Sequence, residues 1–150
     1  MQRIERTYTI KAPVHKVFDC LSNPENFVDF WPEMLVVEDI HGLHNGGKGF
    51  RWTAKVVGVR FEGTSEDTEF RTDSHIVIQI RGGLHGVLSW TLEHENEGTK
   101  LHVVFEYAIP VSLHSRPARS VAETMERDFG LFLDNLTLKS ELGISTHAHS

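Results

Sequence analysis

Five side chains in this sequence, Arg6, Tyr8, His75, His85 and Tyr107, could move a proton or hold an anion beside a bound molecule. General acid–base chemistry needs such a group within hydrogen-bond reach of the substrate. Tyr107 falls on the apolar side of its segment, where it could hold or protonate a carbonyl. The competing reading is a core tyrosine whose hydroxyl meets a backbone carbonyl or water. Arg6 interrupts the apolar side of the first segment. A buried guanidinium needs an anion, either an acidic side chain or a ligand carboxylate. On a two-residue alternation His75 lies opposite Ile76 and Ile78, so it points outward or sits at a rim. His85 falls in a glycine-rich turn and is expected to be solvated. Tyr107, Arg6 and His75 are thus the catalytic candidates. No nucleophile–base pair and no phosphate loop stands out.

Histidine is abundant, at 10 of 150 residues, but scattered. His41/His44 and His147/His149 are the close pairs, and neither lies on a helix that would aim both rings at one ion. No metal site and no cofactor are expected. Cys20 is the one cysteine, which leaves no partner for an internal disulfide. It reads as a small buried residue in a reducing, cytoplasmic setting.

The element that must position these groups is the last long run, Arg116 to Leu142. Val121, Ala122, Met125, Phe129, Phe132, Leu133 and Leu136 share one face of a helical wheel with Ala118, and Arg119, Glu123, Arg127, Asp134 and Glu141 share the other. Ser115 suits the N-cap, Pro117 the first turn and Gly143 the position past the end. Such a helix is about 40 Å long. Gly130 at its centre marks a candidate bend. No second strong helix is available to cover its apolar face, so a sheet must do so.

The rest of the chain supplies that sheet. Residues 2 to 11 alternate as a strand, with Ile4, Tyr8 and Ile10 on one side. Val14 to Leu21 and Pro24 to Pro32 read as two short helices, the second carrying Phe27, Phe30 and Trp31. Six antiparallel strands follow between Met34 and Pro110. The acidic run Glu62 to Arg71 reads as a solvated strand face that could also meet a protein partner. Glu97-Gly98 is a two-residue turn that pairs Leu88 with Tyr107, Trp90 with Phe105, Leu92 with Val103, His94 with Leu101 and Glu95 with Lys100. The fold class is α+β: a curved seven-stranded antiparallel sheet round a long C-terminal helix, with two short helices after the first strand. Residues 1–143 form one domain, and 144–150 read as a flexible tail.

Charge and composition narrow the partners. A formal charge of −6 argues against nucleic acid and anionic membrane surfaces, which call for a basic face. No apolar run approaches the length of a membrane span, and Met1 to Glu5 lead into a strand rather than a signal-peptide core.

Between sheet and helix such a fold leaves a wedge. The side chains expected to face it are Phe27, Trp31, Phe50, Trp52, Ile78, Trp90, Phe105, Tyr107, Met125, Phe129 and Phe132. Each alone could be plain core. Together they are many large rings for one interior, as in a site for an apolar small molecule.

The motif order resembles the START-like (SRPBCC) superfamily, in particular its small polyketide cyclase/dehydrase-type members. The resemblance rests on Ile10-Lys-Ala-Pro13, the Val-x-x-Val-Phe-Asp helix, Pro24-Glu-Asn-Phe27 with Trp31-Pro32, Gly86-x-x-x-Trp90-x-Leu92-Glu93, Glu97-Gly98-Thr99-Lys100-Leu101 and the closing helix. It covers Ile4 to Leu142 and implies a helix-grip fold with an internal cavity. It leaves function open, because the superfamily includes lipid, sterol and hormone carriers, quinone-binding proteins, aromatase/cyclases and partner-binding proteins. Three functions fit: a carrier or sensor of a hydrophobic small molecule (lipid, quinone or polyketide-like), a polyketide cyclase/dehydratase, and a protein-interaction module with a filled cavity.

Overall fold

A computed structural model describes residues 1–142 of the chain. Its elements are β1 (Gln2–Ile10), α1 (Val14–Ser22), α2 (Phe27–Phe30), β2 (Met34–Gly42), β3 (Lys48–Val56), β4 (Val59–Arg71), β5 (His75–Gly82), β6 (His85–Glu95), β7 (Gly98–Ala108) and α3 (Ala118–Leu142). The strands form one antiparallel sheet in the order β1-β7-β6-β5-β4-β3-β2. It is a meander from β2 to β7, with β1 returning to the far edge. The expected helix-grip architecture is therefore observed.

The alternation read from the sequence decides which face is buried. Phe50, Trp52, Ala54 and Val56 of β3, Ile76 and Ile78 of β5, Leu88, Trp90 and Leu92 of β6, and Leu101, Val103, Phe105 and Tyr107 of β7 all point to the concave side. From α3, Val121, Met125, Phe129, Phe132, Leu133 and Leu136 descend onto them. Stacked rings join the layers: Trp90 lies 6.2 Å from Phe129 and 5.5 Å from Phe132. At the other end α1 buries Val14, Val17, Phe18, Cys20 and Leu21. No helix among the described residues is long and apolar enough to cross a membrane.

Two expectations are corrected. The β6–β7 turn is Asn96-Glu97, closed by Glu95 opposite Gly98, and Asn96 takes the left-handed conformation at φ 56°. Asparagine tolerates that region, so it displaces Glu97-Gly98 as the turn. The partners shift by two residues: Leu88 faces Phe105, Trp90 faces Val103, Leu92 faces Leu101, His94 faces Thr99, and Glu93 rather than Glu95 faces Lys100. A shift of two preserves every side chain's face. Secondly, α3 begins at Ala118, and the carbonyl of Pro117 takes the first amides, from Ser120 at 3.0 Å and Val121 at 3.2 Å. Proline disfavours helical backbone at the residue before it, which keeps Arg116 and Ser115 out of the helix. Ala118 on that first turn is exposed. The acidic strand exposes one face, as read from the sequence, while Ser65 and Asp67 are buried on its concave side. The expected cap Gly143, the tail and its His147/His149 pair lie outside the described residues.

Candidate functional site

The wedge between sheet and α3 is not completely filled. A cavity of about 90 Å³ remains, within about 660 Å³ of unfilled space that includes its opening to solvent. Its floor comes from β3, β5 and β6 through Trp52, Ala54, Val56, Ile78 and Leu88. Phe105 of β7 forms a side wall, Phe129 and Phe132 of α3 the roof, and Phe27 of α2 the end wall. Trp31, Met34 and Ile80, only half-buried, mark the mouth. None of the lining side chains is ionisable, and the one polar atom type they offer is the indole N–H of Trp31 and Trp52.

Local sequence explains the shape. The lining of β3 runs from two rings, Phe50 and Trp52, to two small aliphatic residues, Ala54 and Val56, so the floor falls away toward the mouth. Trp52 crosses the neighbouring strand at Gly63, where a Cβ would collide with its indole, 2.8 Å from Cε2. Gly82, paired with Gly63 and held at φ 105°, lets β5 pass the same spot and turn toward Leu84. Glycine is the residue that permits both the close approach and the positive φ.

Of the eleven side chains expected at the wedge, Phe27, Trp31, Phe50, Trp52, Ile78, Phe105, Phe129 and Phe132 line the cavity. Trp90, Tyr107 and Met125 are buried but do not. Trp90 is held behind Phe129 and Phe132 by stacking, and Tyr107 packs on Phe105 at 5.1 Å. Met125 sits one turn before Phe129. Met34, Ala54, Val56, Ile80, Leu84 and Leu88 line the cavity and were missed. Ala54, Val56 and Ile80 continue alternations already read in their strands. The emphasis on large rings hid them.

The catalytic candidates do not converge. Arg6 is on the concave side, but at the open edge strand, and its side chain is 43% exposed. It donates to the carbonyl of Glu5 at 2.8 Å and stands 3.9 Å from Glu126 of α3. The expectation of a buried guanidinium is thereby corrected. His75 lies on the convex face, with Nδ1 3.1 Å from Thr91 Oγ1 and Nε2 3.5 Å from Glu69. His85 is exposed. Tyr8 donates to Asp134 at 3.1 Å, and burial, then this partner, raises its pKa. Burial, with a smaller effect of Glu126, pushes the Tyr107 hydroxyl up to about 12. At neutral pH it therefore keeps its proton. Burial likewise raises the Cys20 thiol, which suits a packing role. Among the described residues no group of three or more His, Cys, Asp or Glu side chains could hold a metal ion.

Two further features surround the cavity. Asp128, next to Phe129, is 6% exposed; burial raises its pKa, with Glu33 adding to the rise and Arg127 opposing it. Glu33, between Trp31 and Met34, gives the rim an acidic character. In the interior, Trp52 Nε1, Trp90 Nε1 and Tyr107 Oη are buried and have no hydrogen-bond partner among the described residues. A buried unpaired donor costs about 1–3 kcal/mol, so such a group calls for an explanation.

The comparisons with known proteins fit this geometry. The family model described as polyketide cyclase/dehydrase and lipid transport matches residues 1–141. A protein from Thermus thermophilus superposes with a TM-score of 0.79 at 18% identity, over 96% of this chain and 100% of that one. A START superfamily protein from Mycobacterium smegmatis gives 0.75 at 13% identity, over 95% and 99%. The Zhui aromatase/cyclase from a Streptomyces species gives 0.74 at 19% identity, over 93% of each chain. No curated protein has a significantly similar sequence. Such distant structural likeness carries the fold, whereas the family match spans nearly the whole chain: the protein belongs to the polyketide cyclase/dehydrase and lipid transport family and has its START-like fold.

Proposed function

We propose that the protein is a carrier or sensor that binds a hydrophobic small molecule, of lipid, quinone or polyketide-like type, between its sheet and α3. The observation that carries this reading is the partly open cavity lined by apolar side chains alone. Burying a ligand there gains roughly 25 cal/mol per Å² of apolar surface removed from water, without desolvating any charge in the wall. The buried space is smaller than the about 150 Å³ apolar cavity known to take benzene. A ligand larger than one ring therefore fills the mouth as well, displacing Trp31, Met34 or Ile80.

Chemistry on the ligand is the weaker reading. A cyclase/dehydratase needs a proton donor or acceptor at the substrate. Tyr107 is behind Phe105, Arg6 is at the open edge and His75 is on the opposite face of the sheet. The protein-interaction reading needs a filled interior, and the wedge is partly empty.

Native mass spectrometry of freshly purified protein, followed by denaturing extraction, tests the proposal. The expected result is a discrete small-molecule adduct, lost in Ile80→Glu. That change puts a carboxylate at the half-exposed mouth, where the fold tolerates it. A bare mass, with no uptake from a panel of lipids, quinones and aromatic polyketides, would overturn the reading.

A further inference from the structure

We infer that the end of the molecule where α3 begins docks on an anionic lipid surface. Charge and exposure carry this docking, whether or not the cavity holds a ligand.

The net charge of −6 hides a polarised molecule. In an antiparallel meander, successive connections fall at opposite ends of the sheet. At one end lie the β2–β3, β4–β5 and β6–β7 connections, where residues 38–49, 66–75 and 93–100 hold nine Asp and Glu against three Lys and Arg. At the other lie the β3–β4 and β5–β6 turns and the connection from β7 to α3. There residues 54–61, 80–86 and 108–122 hold Lys55, Arg60, Arg81, Arg116 and Arg119 and no Asp or Glu. All five cations are exposed. Glu33 and Glu62 flank this end, but Glu62 is 3.8 Å from Arg60, and Glu123 takes Arg119 at 3.0 Å. Lys55, Arg81 and Arg116 form no ion pair among the described residues. Arg116 donates to the neutral carbonyl of Val57, which ties the β7–α3 connection to the β3–β4 turn. The positive end of the α3 dipole adds to these charges.

Val111 favours a bilayer over an acidic protein as the partner. Leu113 is fully buried and pins the β7–α3 connection, while Val111, in the same connection as Arg116, is 80% exposed. An anionic bilayer suits that pairing, because its headgroups meet the cations and its interior takes the aliphatic side chain. The cavity lies close by: Val56, Ile80 and Leu84 line it and are the sequence neighbours of Lys55, Arg81 and His85. Docking therefore brings the aliphatic end of the wedge to the lipid.

Sedimentation of the full chain with vesicles tests this. Vesicles of phosphatidylcholine with about one part in three phosphatidylserine are expected to carry the protein down at low salt, and pure phosphatidylcholine to leave it in solution. Added salt is expected to release it, since the attraction falls off within a Debye length. Arg81→Glu and Lys100→Glu change the net charge equally but at opposite ends, and both positions are exposed. One Lys or Arg near an anionic leaflet strengthens binding about fivefold, so the two-charge change in Arg81→Glu should weaken it about tenfold or more. Lys100→Glu is expected to change it less than about twofold. Val111→Ser should weaken it a few-fold while the salt dependence stays. No sedimentation with the anionic vesicles, equal sedimentation with both compositions, or equal losses in Arg81→Glu and Lys100→Glu would overturn the docking. Capture by soluble polyglutamate but not by vesicles would assign the basic end to an acidic protein and overturn the lipid partner. Circular dichroism of each variant separates lost docking from lost folding, and the vesicle and salt comparisons use unaltered protein.

Discussion

Asp67 places a carboxyl group on the concave face of β4, where it is 6% exposed and accepts the amide of Lys48 at 2.8 Å. Its backbone carbonyl takes Asn45 Nδ2 at 2.7 Å, so one residue holds the middle of the β2–β3 loop and the start of β3. Burial raises its pKa to about 6, against the opposing pull of the Lys48 amide and charge. In the unfolded chain the ordinary value is about 3.9. Between these values the unfolded chain has released the proton and the folded one has kept it, so folding loses stability as pH rises from about 4 to about 6. Below that window the two states are alike, and above it the loss is complete. A shift of about two pK units corresponds to roughly 3 kcal/mol as an upper figure. Asp67→Asn keeps the acceptor for Lys48 and removes the titration. Its stability advantage over wild type, measured by urea unfolding, is expected to grow between pH 4 and pH 6 and then level off. A constant difference across that range would show that the folded-state carboxyl titrates normally. The alternation from Val59 and Phe61 through Ser65 does carry Asp67 to the concave face, but no apolar residue follows Phe61 there to mark it as inside. Asp67 sits in an acidic run whose other carboxylates are solvated, and a bulge between Asp67 and Glu69 resets the alternation by which inside is told from outside.

At the scale of elements, α3 and the strands were legible because each has a buried stripe of fixed period. The long wheel from Val121 to Leu136 and the two-residue alternation of β3, β5, β6 and β7 leave few other ways to bury those side chains. What was illegible lies where local chemistry competes: the turn at Asn96-Glu97 against Glu97-Gly98, and the helix start at Ala118 against Arg116. Arg6 shows a third kind of limit. Its face was read correctly, but burial depends on what lies above that face, and β1 is the sheet's edge. Gly130 tests how far local preference matters once an element is packed. The helix runs through it unbroken, and a Cβ there would meet nothing within 4 Å. Gly130→Ala is expected to stabilise the protein by about 0.5–1 kcal/mol, through the lower entropy of the unfolded chain and better helix propensity. Thermal unfolding checks this. A loss of stability would mean that α3 needs the glycine's freedom, and the bend suggested by its central position would return as the explanation.

At the scale of the whole molecule, sheet and helix meet at two unequal ends. Around α1 and the Trp90–Phe129–Phe132 stack the wedge is filled with rings, and toward Ala54, Val56 and Ile80 it is not. The sequence contained the rings, but the empty space depends on the difference between neighbouring volumes. That is why eight of the expected side chains reach the cavity wall while the aliphatic floor was missed. A protein under selection for stability alone would gain by filling that floor, since cores favour close packing. Ala54, 4% exposed and lining the cavity, is the place to try it. Ala54→Leu adds three carbons to an apolar void. At about 0.8 kcal/mol per buried CH₂, less the strain of an imperfect fit, the unliganded protein is expected to gain about 1 kcal/mol. The same side chain occupies the ligand's volume, so the native-mass adduct should disappear as the melting temperature rises. Opposite movement of the two readouts identifies the void as a binding site kept open at a cost in stability. A variant that is stabilised and still carries its adduct would place the ligand elsewhere. One that is destabilised would show that the floor has no room for the added carbons.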